Sequence, residues 1–99
     1  MYVVKQSDTF KAWLNDLRDA IGRLRITARL TIAGEGNLSD CAPVGDGVHE
    51  MRVHVGPGYR LYFVHHGKRI IFLLNGGDKS TQRRDIKRAK EMAAELDED

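Results

Sequence analysis

Glu50-Met51-Arg52-Val53-His54-Val55-Gly56-Pro57-Gly58-Tyr59-Arg60-Leu61-Tyr62-Phe63-Val64 is the stretch whose reading decides the fold. Before the glycines, Met51, Val53 and Val55 alternate with Glu50, Arg52 and His54, the period of a half-buried strand. After them, Tyr59 to Val64 is rich in aromatic and β-branched residues, as a strand requires. Gly56-Pro57-Gly58 between the two runs reads as a three-residue hairpin loop with glycine at its left-handed position. That loop length sets Val55 opposite Tyr59, Val53 opposite Leu61 and Met51 opposite Phe63. It also sets His54 opposite Arg60 and Arg52 opposite Tyr62. A slip by one residue would mix apolar and polar faces, which burial forbids.

Outward from the hairpin, the remaining elements follow. Arg69 to Asn75 reads as a third strand, and its unbroken apolar run Ile70 to Leu74 predicts cover on both sides. Gly76-Gly77 is expected to end it. Ser80 to Arg83 opens a last helix with Ile86, Ala89, Ala93 and Leu96 as its buried stripe. On the N-terminal side, Tyr2 to Lys5 reads as a short strand. Ser7 caps a helix carrying Phe10, Trp13, Leu14 and Leu17, and Asp19 caps a second. In that second helix Ile21, Leu24, Ala28 and Ile32 form one apolar row, widened by Ile26, Leu30 and Ala33. Residues 37 to 48 read as a polar loop. The order is strand, two helices, three strands, helix: an α+β domain with a mostly antiparallel sheet, an N-terminal helical hairpin and a C-terminal helix.

Ninety-nine residues, 41% hydrophobic and 30% charged, suit a single domain over 1–99 with one core and exclude repeat arrays and long disordered tails. Cys41 is the sole cysteine, so neither an internal disulfide nor a cysteine-based zinc site can form. No histidine pair has metal-ligand spacing, so no metal or other cofactor is expected. Met1 to Lys5 is too short for a signal peptide's apolar core, and no stretch approaches the ~20 apolar residues of a membrane span. The expectation is a cytoplasmic protein. The net charge of +2 hides an asymmetry. All sixteen Lys and Arg precede residue 91, while five of the fourteen acids (Glu91, Glu95, Asp97, Glu98, Asp99) follow residue 90. A basic body suits an anionic partner as well as it suits a solvated surface.

The hairpin register gathers Arg52, His54, Arg60 and Tyr62 on one face, expected to be open. Arginine forks bind phosphate oxygens bidentately, histidine transfers protons near neutral pH, and a tyrosine ring can stack on an unpaired base. That set fits ribonuclease chemistry, in which the RNA 2′-OH attacks the adjacent phosphorus. From the residues alone, a polar face kept for solubility fits the set better still. Arg60, His54 and Arg52 are the candidate catalytic residues, with His54 ahead of Glu50 as the proton acceptor. Tyr62, Lys79 and Gln82 are the candidate substrate contacts. Helix capping is the competing role for the residues from Gly76 to Gln82.

Two segments together carry a family resemblance: Gly47-Val48-His49-Glu50-Met51-Arg52-Val53 leading to Gly56-Pro57-Gly58-Tyr59-Arg60-Leu61-Tyr62-Phe63, and Leu73-Leu74-Asn75-Gly76-Gly77-Asp78-Lys79-Ser80-Thr81-Gln82. The chain resembles the RelE/ParE toxin superfamily of type II toxin–antitoxin modules, in its addiction module killer, HigB-like branch. The resemblance implies a RelE-like microbial RNase-type fold and a cognate helix-turn-helix antitoxin, through which alone operator DNA would be met. It implies ribosome-dependent mRNA cleavage, with Arg60 matching the cationic sheet-face residues by position and Arg52 and His54 more loosely. No aromatic residue stands near the C-terminus, where some members place a stacking tyrosine. ParE-type members inhibit DNA gyrase instead, and a chain that only binds antitoxin is the third alternative.

Overall fold

The computed structural model describes residues 1–96. Its elements are β1 (Val3–Gln6), α1 (Asp8–Asp16), α2 (Ala20–Gly34), β2 (Cys41–Gly45), β3 (Val48–Val53), β4 (Tyr59–His66), β5 (Ile70–Asp78), a short 3-10 turn (Lys79–Thr81) and α3 (Gln82–Leu96). One mixed sheet runs in the order β1-β5-β4-β3-β2, with β1 parallel to β5 and the other pairs antiparallel. Among the described residues no helix is long and apolar enough to cross a membrane.

The helix starts are set locally. The Ser7 hydroxyl oxygen accepts from Phe10 N at 3.0 Å and donates to Leu74 O at 2.5 Å, so one residue caps α1 and ties it to β5. Asp19 caps α2 by accepting from Gly22 N at 3.0 Å. The hairpin α1–α2 covers one sheet face, burying Phe10, Ile26 and Leu30 against Met51, Leu61, Phe63, Ile71 and Leu73. Helix α3 covers the other face, burying Ala89 and Ala93 against Val48, Tyr62 and Leu74. Each large apolar side chain so buried contributes roughly 1.5–3 kcal/mol relative to exposure. The apolar run in β5 is thus covered on both sides, as its composition predicts.

Four expectations need correction. The stretch assigned to a polar loop contains β2, an edge strand whose Pro43 and bulge at Gly45 hide the periodicity of a strand. Strand β5 continues through Gly76-Gly77 to Asp78. The β3–β4 register lies two residues from the one expected. Met51 faces Leu61, Arg52 faces Arg60 and Val53 faces Tyr59, leaving His54 to Gly58 as the connection. A shift of two keeps every side chain on its predicted face. Finally, the two apolar rows of α2 lie on opposite sides. Ile26, Leu30 and Ala33 are buried, while Ile21, Leu24 and Ile32 are exposed. Of the acidic tip, Asp97, Glu98 and Asp99 lie outside the described residues.

The two glycines of β5 are set by close approach. A Cβ on Gly76 would stand 2.5 Å from the Trp13 ring, and one on Gly77 would stand 1.8 Å from the Asp85 carboxylate. The sheet is therefore clamped at this point between α1 and α3. A bulge just before it, where Tyr62 pairs with Asn75 and Phe63 with Leu73, sets the faces that the glycines present.

Alanine at either position must push a helix off the sheet. Gly76→Ala and Gly77→Ala are expected to lower stability by about 1–3 kcal/mol or more in urea unfolding. Gly34→Ala, whose new Cβ would meet atoms only at 3.5 Å, is expected to change it by less than about 1 kcal/mol.

Candidate functional site

The polar face of the central hairpin is built around Glu50, which is 2% exposed. Glu50 faces Tyr62 across β3–β4, and Arg52 faces Arg60 one step further along the same face. Both carboxylate oxygens are engaged. One lies 3.3 Å from Arg52 Nε and 3.9 Å from Arg60 Nε. The other accepts from Gln82 Nε2 at 2.6 Å and from the Tyr62 hydroxyl at 3.2 Å. A carboxylate buried this deeply is tolerated only when charges and donors surround it, and here two arginines, a phenol and an amide do so.

The two arginines differ in their burial. The Arg52 side chain is 40% exposed and that of Arg60 12%. Arg60 Nη1 reaches the Gly58 and Tyr59 carbonyls only at 3.4 Å, and its buried Nε has no hydrogen-bond partner among the described residues. One carboxylate therefore faces two guanidiniums, and positive charge is left over at the surface. Lys79 adds to it. A Cβ on Gly58 would lie 3.5 Å from Arg60 Nη1 and 3.8 Å from Lys79 Cβ, so all three meet at the rim. Gly58 has φ +80°, the left-handed conformation glycine suits.

The start of α3 is a scaffold for this rim. Asp78 accepts from Ser80 N at 2.8 Å and from the Ser80 hydroxyl at 2.5 Å. The Thr81 hydroxyl donates to the buried Asp85 carboxylate at 2.5 Å, directly over Gly77. Asn75 Nδ2 donates to Asp85 O at 3.0 Å. Capping thus accounts for Asp78, Ser80 and Thr81. Gln82 instead spends its amide on Glu50, and Lys79 stays exposed. Beyond it Arg83, Arg84 and Lys87 line a shallow depression of about 520 Å³ with Ser80 and Thr81.

On the other side, Asp19 pins the hairpin loop. Its carboxylate accepts from the Tyr59 hydroxyl at 2.7 Å as well as from Gly22 N. These bonds, that from Gly22 N first, hold the Asp19 carboxyl below the ordinary carboxylate range. Burial, then the bond to Asp19, pushes the Tyr59 phenol up to about 12.

Arg52, Arg60, Tyr62 and Gln82 are brought together, with Lys79 beside them. Tyr62 is not available to a base, because α3 covers the face expected to be open. Its ring is fully buried, and burial, then the Glu50 charge, raises its phenol well above the ordinary range. His54 is not opposite Arg60 either. It lies beyond β3, exposed, with Nε2 3.5 Å from Asp40 Oδ2. The residue whose role the sequence understated is Glu50. Its signal is parity, since it shares a strand face with Arg52, Arg60 and Tyr62. Among the described residues no group of His, Cys, Asp or Glu side chains could hold a metal ion.

Residues 8–96 match the family described as phage derived protein Gp49-like (DUF891). An uncharacterized protein of Haemophilus influenzae (strain KW20 / Rd) is 42% identical over 93 residues, 94% of either chain. A chain of the crystal structure of the intact E. coli RelBE toxin–antitoxin complex superposes with a TM-score of 0.65 at 14% identity. The match covers 79% of this chain and 96% of that one. That likeness establishes the RelE-like fold.

Two stability measurements test this construction. Glu50→Ala removes the acid that faces both Arg52 and Arg60 and is expected to cost about 3–5 kcal/mol, whereas Arg52→Ala, at the exposed side, costs under about 1 kcal/mol. For Asp19, the lowered folded pKa means stability that is present above the unfolded carboxyl pKa and lost as pH falls through the folded value. Unfolding midpoints should therefore fall below about pH 4, and Asp19→Asn, which can still cap α2, should remove that component.

Proposed function

The chain belongs to the phage-derived Gp49-like family, and from that membership, the RelE-like fold and the surplus charge over Glu50 we propose that it is the toxin of a toxin–antitoxin module and cleaves mRNA on the ribosome. Within the superfamily the proposed branch is the addiction module killer, HigB-like one. The proposed partners are a cognate helix-turn-helix antitoxin, the ribosome and mRNA, and the proposed compartment is the cytoplasm.

The observation that carries this reading is the pair of guanidiniums held opposite each other over a single buried carboxylate. Solubility does not require Arg60 to be nine-tenths covered with its Nε unbonded. A bound phosphodiester supplies the missing negative charge and accepts from the outward ends of the guanidiniums. In the proposed reaction the 2′-oxygen attacks the adjacent phosphorus and its proton leaves to a base. The bond from phosphorus to the 5′-oxygen breaks, and that oxygen takes up a proton. The products are a 2′,3′-cyclic phosphate and a 5′-hydroxyl end.

Arg60 and Arg52 hold the phosphate and stabilise the charge that builds on its oxygens, and Lys79 contacts the RNA backbone. Gln82 acts through Glu50, which keeps both arginines aimed at the surface. His54, beyond the end of β3 with Asp40 beside it and on one groove with Arg52, is the proposed proton-transfer group. Glu50 is the poorer base, since both its oxygens are already engaged.

Induced without antitoxin, the chain is expected to arrest growth and produce new mRNA 5′ ends within coding regions. Arg60→Ala should lower cleavage by about 10²–10³-fold and restore growth. A 2′-deoxy nucleotide at the scissile position should block cleavage. Growth arrest with intact mRNA and DNA-damage signalling would instead establish the gyrase-type activity.

A further inference from the structure

Helix α2 carries a second apolar face that nothing among the described residues covers. Leu24 is 71% exposed, Ile21 64% and Ile32 40%, and Ala28 between them is also exposed. These four fall on one line of the helix, opposite Ile26 and Leu30, which fill the core. Scattered exposed apolar residues are ordinary, but a continuous row along a helix is the mark of a contact surface. Shallow grooves flank it. One, of about 440 Å³, runs toward α1 and is lined by Leu14, Ala20, Leu24 and Thr27 among others. The other, of about 270 Å³, runs toward β3 between Ala28 and Ile32 on one side and Arg52 and His54 on the other.

The charge along this face selects the occupant. Ala20–Gly34 contains Arg23, Arg25 and Arg29 and no acidic residue. Arg23 donates to the Leu17 carbonyl and acts on the Asp19 carboxylate, while Arg29 donates to the Asn37 and Ser39 carbonyls. The one acid lining the second groove, Asp40, lies against His54, so Arg25 and Arg29 leave this side of the face positive. Arg25 is exposed beside Ile32, on the groove that leads to Arg52. A second copy of α2 would set arginine against arginine. RNA would gain nothing from Ile21, Leu24 and Ile32. A helix with its own apolar stripe and acidic flanks satisfies both the row and the charge.

We propose that the outward face of α2, from Ile21 to Ile32, docks an acidic amphipathic helical segment of a protein partner. The identity of that partner as the antitoxin rests on the toxin reading above; the surface and the chemistry it selects do not. A segment seated here with its acids toward Arg25 and Arg29 lies along the groove that ends at Arg52, at the edge of the proposed phosphate site.

The test titrates the isotope-labelled full chain with two synthetic helical peptides of about four turns, sharing one leucine stripe and flanked by glutamates in one and lysines in the other. The glutamate peptide should shift amides of residues 20–34, and the lysine peptide should not. Leu24→Asp and Ile21→Asp, both at exposed positions, should each weaken the glutamate peptide by about tenfold or more. The proposal is overturned if both peptides bind alike, if the shifts fall on α3 instead, or if either substitution leaves affinity unchanged. It is also overturned if a short RNA competes for the same amides, or if residues 20–34 respond to the chain's own concentration. The toxin reading is read out separately. If the wild-type chain fails to arrest growth, that reading fails while the titration stands. If the titration fails while growth arrest persists, only the α2 surface is withdrawn. With both readings intact, Leu24→Asp keeps the arrest.

Discussion

The burial of the Glu50 carboxylate is the constraint on which the rest of the structure depends. A carboxylate at 2% exposure would be ruinous alone, and its surroundings are organised around it. Arg52 comes from its own strand, Arg60 and Tyr62 from the next, and Gln82 from the first turn of α3. Three elements therefore converge on two oxygens. The same convergence fixes where α3 begins, closes the polar face of the hairpin and leaves only the outer ends of the arginines at the surface. Replacing the whole cluster by apolar residues would cost little on stability grounds, as buried ion pairs in general show. Its upkeep makes sense through what the arginines do at the surface.

The second anchor of α3 is steric. Gly76 and Gly77 are consecutive, so they face opposite sides of the sheet, and each admits a group from its own side: the Trp13 ring from α1 and the Asp85 carboxylate from α3. Asp85 is in turn held by Thr81 and, through its backbone carbonyl, by Asn75. The segment from Asn75 to Asp85 is thus one device. It brings both helical layers down on β5 and sets Gln82 within reach of Glu50. Lys79 lies at the apex of the turn between the two anchors, exposed beside Arg60, and takes no part in holding α3.

The periodicities of β3, β4 and α3 were legible because apolar side chains alternate along the strands and recur at helical spacing in α3, and the caps at Ser7 and Asp19 because they act within their own first turn. The faces of Arg52 and Arg60 were legible for a more robust reason. An error of two residues in register leaves side-chain parity untouched, so the five-residue connection displaced His54 without moving either arginine to the wrong side. What was not legible depends on the third dimension. Composition does not distinguish an open polar face from one covered by a helix, so Tyr62 read as a platform when it is a buried donor. Nor does it tell which of two apolar rows on α2 meets the sheet. Glycines read as strand breakers were the residues that allow the strand to continue under close contact. The edge strand β2 was hidden because Pro43 and a bulge remove the alternation on which strand recognition relies.

The uneven charge of the chain resolves into groups with different surroundings. On α2 the guanidiniums of Arg23 and Arg29 are oriented by carbonyl oxygens, which fix their positions without cancelling their charge. On α3 Arg83, Arg84 and Lys87 stand in solvent, where salt screens them and their effect is general attraction. Arg60 alone of these combines a charge with near-complete burial, and a charge in low dielectric acts far more strongly on whatever approaches it. Its acidic partner Glu50 is shared with Arg52, Gln82 and Tyr62, so Glu50 orients Arg60 without satisfying it. That condition suits the phosphate proposed for this site.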